Sequence, residues 1–560
     1  MTTDPIRCVD NRPEDRRLQL AASLTGQAER LAFLREHGMG LFATPDIADT
    51  WTCIRDWPIG EAPELMPLLI KLWAAFLSGD AAAVSGLRRH LADRTPGTAR
   101  EASTLQAFEA LGSGGRPLTE RIQQAEHAVA VLEGTAPCPE MANAILTLAQ
   151  LLAGGEAYRR SCTLFQEAAR MFAQCDMPFP AAVSTTNALL GQWRLGLHED
   201  VLRLGALALS DSASFGGTAC SWWEIVRLPM GLSCLETGRT ALAGQHLEAA
   251  RLCIRSLRLF HMHGLVELGL FRVHLVRNDL DGMTRLLEES QTLFGSMHHA
   301  GFDRLLAMMR SLTADAGGRA PGEADRECFG PETMAVPGDG MGIGAEMRCW
   351  LMLHGYVDDD GTPDVVPLLE HVRRIGHRPA LQLFLLLAAD LGLKSGHVGQ
   401  AEVLVAEAID LWRETGGYAG FLMHPARAVH LVRVMEPGLY RLLSRMMGNR
   451  MLAVASTNAS GHMSPAPSAN GQGAADPALR SDGGSARRSE RPSETLERLS
   501  AREREILALA AAGHGNQEIG ATLFLGTSTV KWHINRIFAK LGATSRIQAI
   551  QIARERGDLP

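Results

Sequence analysis

The chain has 560 residues, 46% hydrophobic and 21% charged, and its 55 basic and 62 acidic residues leave a net charge of −7. At about 100–200 residues per domain, that length predicts three or so domains, or one long repeat array with something smaller attached. No apolar run approaches the roughly 18–20 residues that cross a bilayer, and Met1–Arg17 is studded with Asp, Glu and Arg, so neither a membrane span nor a signal peptide is expected and the chain reads as soluble and cytoplasmic.

The ten cysteines (Cys8, Cys53, Cys138, Cys162, Cys175, Cys220, Cys234, Cys253, Cys328 and Cys349) are scattered, with no CxxC pair. That pattern predicts buried thiols in a reducing compartment rather than a disulfide scaffold or a zinc ribbon. Only four basic residues are lysine: Lys71, Lys394, Lys531 and Lys540.

Before residue 440 almost every segment reads as amphipathic helix, for example Met141–Leu152, Arg159–Phe172 and Ala401–Trp412, where apolar residues recur at three and four. Small turn residues recur between them at Gly114, Gly155, Gly196, Gly238, Asn278, Gly317, Gly355 and Gly396, at intervals of 38 to 42. A period near 40 with a helix on each side of the turn predicts stacked helical hairpins, each burying its apolar stripe on its neighbours. Leu385–Trp412 shows the unit best, with its turn at Gly396 and small Ala401, Ala406 and Ala408 in the second helix. The array resembles tetratricopeptide (TPR) repeats, although its period exceeds their usual 34.

Two stretches interrupt the helices. Asp315–Gly344 contains Pro321, Pro331 and Pro337 and ends in a glycine run from Gly338 to Gly344. With no strand before it and no lysine after it, this reads as an insertion loop rather than a phosphate cradle. Ala453–Glu494 has almost no aromatic or large aliphatic residues and is expected to be a flexible linker. The expected division is therefore a helical repeat region at 1–452, a linker at 453–494 and an independent module at 495–560.

Charge divides the same way. From Leu496 to Pro560 nine basic residues face six acidic ones, a balance of +3 that leaves −10 on the other 495 residues. A polyanion would meet the tail more readily than the body.

In the tail, Ser500 and Glu503 form an S-x-x-E capping box, which predicts a helix running through Ile506, Leu507 and Leu509 to a stop near Gly513. A short second helix follows Gly515 and Asn516 and ends about Leu523; a third spans Ser528–Leu541; a fourth, after Ser545, carries Ile547, Ile550 and Ala553. In the third, Val530, Ile534, Ile537 and Leu541 share one face and are expected to pack on Ile506, Ile519 and Leu523. Ser528, Lys531, Trp532 and Asn535 then share the opposite face, flanked by Thr529, Arg536 and Lys540. A helix with a packed back and a polar, cationic front, preceded by a short helix and a tight turn, is what major-groove docking requires.

These residues resemble the LuxR-type DNA-binding domain of bacterial transcription regulators. The matching positions are Arg502-Glu503-Arg504-Glu505, Gly513, Glu518-Ile519, Leu523, Thr529-Val530-Lys531, His533, Ile537 and Lys540-Leu541-Gly542. Gly520 stands where the family has Ala, and Gly526 where it often has Ser; a glycine cap costs only a few tenths of a kcal/mol relative to Ser, so the fold is expected to be intact. The resemblance implies that Lys531, Trp532 and Asn535 face base edges, with Lys531 suited to guanine and Asn535 to adenine or a phosphate. It places Asn516, Gln517, Ser528, Thr529, Arg536 and Lys540 near phosphates. It also implies a homodimer on double-stranded DNA through the exposed side of Ala549, Ile552 and Arg556, with RNA polymerase as a further partner.

A helical array followed by this domain resembles the MalT-like regulators, whose first part is a nucleotide-binding domain. No lysine here has a glycine before it, so the sequence contains no P-loop, and no cofactor is expected. Control is expected through an effector or protein bound by the repeats. His261, His263, His298 and His299 read as turn histidines rather than metal ligands, and Asp358-Asp359-Asp360-Gly361 as an acidic turn rather than a calcium loop. No catalytic arrangement carries a recognisable signature. The expected class is all-α, a TPR-like hairpin array with a four-helix LuxR-type helix-turn-helix domain, and the expected function is a transcriptional regulator, an activator by preference. The alternatives are an interaction scaffold with a non-binding tail and a sigma-factor-like promoter reader.

Overall fold

Every described element is helical. The computed structural model describes residues 16–58, 64–91, 94–112, 115–212, 221–257, 259–295, 300–334, 343–357, 365–423 and 428–447, and in the tail 501–511, 514–515, 517–519, 534, 537, 543 and 546–556. It divides into two units, Met1–Val398 with Leu411–His424, and Gly399–Asp410 with Pro425–Pro560. Gly114 and the expected linker 453–494 lie outside the described residues.

The first unit is built from antiparallel neighbours. Helices Pro139–Gly154, Tyr158–Gln174 and Pro178–Arg194 pack in sequence. The first and third begin with proline, whose missing N–H is not needed in a first turn. Helix Tyr158–Gln174 shows why a single hairpin cannot stand alone: Tyr158, Cys162, Phe165 and Phe172 are buried, while Arg159, Thr163, Gln166 and Arg170 face solvent. Its packing on the next helix is close enough that a Cβ at Gly191 would come within 2.3 Å of Cys162 Sγ.

Left-handed residues mark the reversals at Glu156, Gly196, Gly238, Asn278, Gly318, Gly355 and Gly396, with φ between 54° and 81°. The expected positions Gly155 and Gly317 are thus each displaced by one residue. Gly155 is the cap of its helix at φ −87°, and Glu156 takes the left-handed conformation despite its Cβ.

The stretch expected to be an insertion loop is only partly one. Glu323–Glu327 is helical, Pro331–Met334 is a 3₁₀ turn, and Ile343 already begins the next helix, Ile343–Leu353. Phe329 is fully buried, and Asp325 holds Arg310 at 2.6 Å, so the segment is anchored by one apolar and one ionic contact. His261 and His263 also depart from expectation: they lie on helix Phe260–Arg277 rather than in a turn, and His263 is buried. His298, His299 and Asp358–Gly361 are outside the described residues. Among the described residues no group of three or more His, Cys, Asp or Glu converges, and no helix is long and apolar enough to cross a membrane.

Two buried carboxylates of this unit are held by several donors each. Glu267, fully buried, accepts from Arg251 Nε at 2.8 Å and Arg255 Nη2 at 3.2 Å, tying helix Thr240–Leu257 to helix Phe260–Arg277. Glu101 has the widest reach. Thr98 and Glu101 form a capping box at the start of helix Ala99–Gly112: Thr98 Oγ1 accepts from the Glu101 N–H at 3.2 Å, and Glu101 Oε2 accepts from the Thr98 and Gly97 N–H groups at 3.2 and 2.9 Å. Its other oxygen accepts from the N–H groups of Leu65 and Met66 at 2.6 and 2.9 Å, at the start of helix Met66–Ser78. One buried carboxylate therefore satisfies the orphan donors of two helices.

Glu101→Ala leaves those donors unpaired in a dry site and should cost roughly 3 kcal/mol. Glu101→Gln, with one accepting oxygen, should cost less. Thermal melts of the two variants, followed by circular dichroism, check the order; equal melting of Glu101→Ala and the parent would show that water replaces the carboxylate.

Candidate functional site

In the tail the described side chains converge on one core. Ile506, Leu507 and Ala510 from helix Ala501–Ala511 meet Ile519, Ile534, Ile537 and Ala543, with Ala549 and Ala553 from helix Arg546–Glu555, and none is more than 8% exposed. Ile534 and Ile537 thus pack with Ile506 and Ile519, as their three-residue spacing requires. Two sets of hydrogen bonds fix the turns. The Gly515 N–H donates to Glu518 Oε2 at 2.7 Å, and the Ile519 N–H to the Gly515 carbonyl at 2.9 Å. Arg546 Nη2 donates to the carbonyls of Ala510 and His514 at 2.9 and 2.5 Å, binding the start of the last helix to the end of the first.

The model of the LuxR family of bacterial regulatory proteins matches residues 497–553. This segment is a LuxR-family helix-turn-helix domain. Over 60 residues the chain is 45% identical to the putative HTH-type transcriptional regulator YhjB of Escherichia coli, covering 11% of this chain and 30% of the relative. Over 63 residues it is 43% identical to the HTH-type transcriptional activator RamA of Corynebacterium glutamicum, covering 11% and 22%. Similarity to the HTH-type transcriptional regulator MalT of Cronobacter sakazakii is lower, at 22%, but extends over 376 residues, 65% of this chain and 36% of that protein. A match of that length lies mostly in the helical body, since the tail from 495 onwards has only 66 residues. The chain spans about a third or less of the length of each of these relatives.

Of the residues expected at the DNA interface of the LuxR-type domain, Gln517 is described and exposed. Lys531, Trp532, Asn535, Asn516, Ser528, Thr529, Arg536 and Lys540 lie outside the described residues. One expectation for the last helix is corrected: Ala549 is fully buried in the domain core, so its side chain has no surface to offer a second copy. Ile552 is half-buried against that core and Arg556 is exposed, which leaves these two of the expected dimer contacts at the surface. Helical periodicity alone could not separate Ala549 from Ile552, because a small residue suits a tight core as well as a close interface.

In the helical body, a second constellation that sequence reading did not find brings buried charge together. Arg272 Nη2 binds Glu346 Oε2 at 2.5 Å across 74 residues of chain. The Arg194 guanidinium lies over the Tyr158 ring at 5.3 Å, and His377 packs edge-on to Tyr158 and Trp193. His377 Nδ1 accepts from the Ala380 N–H at 3.2 Å, capping helix Arg378–Lys394, a role that requires the unprotonated nitrogen. Burial, with Arg194 and Arg272 adding like charge, pushes His377 down to about 3. Burial pushes Glu236 up to about 7, with Arg272 opposing. His198, only 2% exposed, is pushed down to about 4 by burial alone.

Both histidines are neutral in the fold, so the stability they contribute is intact above their ordinary value near 6.5 and is lost as pH falls. Glu236 acts with opposite sign, costing stability as pH rises through 7, but one carboxyl faces two imidazoles. The apparent melting temperature should therefore fall from pH 7 to pH 5, with His198 alone costing about 2 kcal/mol at pH 5. His198→Gln should flatten the dependence between pH 6.5 and 5; an unchanged slope would remove this imidazole as its source.

Proposed function

We propose that the chain is a DNA-binding transcriptional regulator, acting as an activator, that reads a promoter site through residues 528–541 and is controlled by an effector or partner bound to the helical body. The observation that carries the reading is the LuxR-family match over 497–553, together with a core in which Ile534 and Ile537 are buried beside Ile506 and Ile519. With those two positions turned inward, helical spacing favours Lys531, Trp532 and Asn535 for the outer face, where Lys531 suits guanine O6 and N7 and Asn535 suits adenine N6 and N7. Ser528, Thr529, Arg536, Lys540, Asn516 and Gln517 are the phosphate candidates, setting register without reading sequence. The −10 carried outside the tail repels a polyanion, so specific binding has to come from this small domain.

Similarity to MalT across the body supports a regulator in which the array receives the signal. We propose a homodimer on DNA with Ile552 and Arg556 at the two-fold, half-sites about one helical turn apart, recruitment of RNA polymerase, and a cytoplasmic location.

Selection of genomic fragments by the full chain, followed by gel shift of the enriched site across a salt series, tests the proposal. Lys531→Ala should weaken the enriched site by ~5- to 150-fold, the equivalent of about 1–3 kcal/mol, while leaving the melting temperature unchanged. Operator binding that survives this change at moderate salt, or selection that enriches nothing, would sink the reading.

A further inference from the structure

The first unit contains a cavity of about 870 Å³, between Gly38–Phe42 and helix Ile47–Ile54 on one side and helices Met66–Ser78, Pro139–Gly154 and Pro178–Arg194 on the other. The Phe179 N–H donates to the Ala43 carbonyl at 3.1 Å and closes one edge. The volume lies within the roughly 300–1,000 Å³ of small-molecule sites.

Its lining has three features that select a ligand. Five of the 25 lining residues are aromatic (Phe42, Trp73, Phe76, Phe172 and Phe179), against 5% aromatics in the whole chain, so the walls are suited to a ring system. The charged lining residues are Asp46 and Asp49, with no Lys, Arg or His among those described, which disfavours a carboxylate or phosphate. Finally, three buried polar atoms on this lining have no hydrogen-bond partner among the described residues: Thr147 Oγ1, Trp73 Nε1 and Asn143 Nδ2. Thr147 is fully buried and Trp73 only 4% exposed. Asn143 and Thr147 are four apart and share one helix face. Such groups occur elsewhere in the protein too; what marks this wall is that three of them share one cavity, where an indole N–H can only donate.

We infer that this cavity binds an uncharged, largely aromatic small molecule bearing a carbonyl oxygen, which accepts from the polar groups on its wall. The site rests on the cavity itself; only its role as the effector site rests on the regulator reading above. Ligand there would bridge the first helices of the unit to the repeats beginning at Pro139, a change the array can transmit from neighbour to neighbour.

Nile red, a neutral polycyclic carbonyl dye, is a direct probe. Titrated into the full chain, it should bind saturably at one site with a blue-shifted emission, whereas anilinonaphthalene sulfonate, an anion of similar apolar character, should not saturate. Val183→Trp, which narrows the cavity with a bulky ring, should weaken saturable binding. Thr147→Val, which removes the unpaired hydroxyl at nearly constant volume, should weaken binding about fivefold without lowering the melting temperature. Non-saturable binding by the parent, or saturable binding of unchanged affinity in Thr147→Val and in a folded Val183→Trp, would overturn the site. Gel shift of the dye-free chain tests the regulator reading separately: DNA binding that ignores saturating dye would leave the cavity a ligand site and remove its effector role.

Discussion

A chain that is almost all helix must reverse direction again and again, and many of the described reversals use a backbone conformation that L-residues avoid. That constraint organises this protein. Of the twelve left-handed residues among those described, seven, Glu156, Gly196, Gly238, Asn278, Gly318, Gly355 and Gly396, fall 37 to 42 residues apart. Helices such as Tyr158–Gln174 can then lay one apolar face on a neighbour and leave the other to water. A residue inserted within one of these helices would rotate the rest of that helix by about 100° relative to the core it must cover.

The reversal spacing was legible in the sequence because glycine and asparagine advertise it, and it misplaced two positions by one residue, one of them for a physical reason. At Gly155–Glu156 the helix cap takes the glycine and the next residue takes the strained conformation, which sequence reading assigns to whichever residue lacks a Cβ. The partial folding of 315–344 was hidden similarly: prolines and glycines signal irregular backbone, but they do not show that Phe329 is drawn into the core. The capping half of Glu101 is a local signature, Thr98-x-x-Glu101, open to any reader of the sequence. Its second half, the bond to Leu65 and Met66, is a tertiary contact with no sequence period behind it.

The candidate sites divide along the same line. The LuxR-type domain was legible because its family pattern is a run of residues at fixed spacing within one short segment, 497–553. The cavity beside Thr147 draws its lining from segments between Met39 and Leu259, and the charge cluster around Arg272 from segments between Tyr158 and His377, brought together only when the unit folds. Contacts of that kind recur late in the chain as well: Tyr418 donates its hydroxyl to the Thr237 carbonyl at 2.7 Å across 181 residues. A repeat protein is often treated as a row of nearest neighbours. Here contacts also join elements far apart along the chain, beyond those between neighbouring hairpins.

Arg546 gives the tail's charge a different meaning. Its guanidinium is held by two backbone carbonyls at the seam between the first and last helices of the domain. It counts towards the +3 of the tail, yet its geometry is committed to the fold. The number of counterions released when the domain meets DNA will therefore follow the phosphates that other side chains reach, and fall short of what the formal charge of the segment suggests.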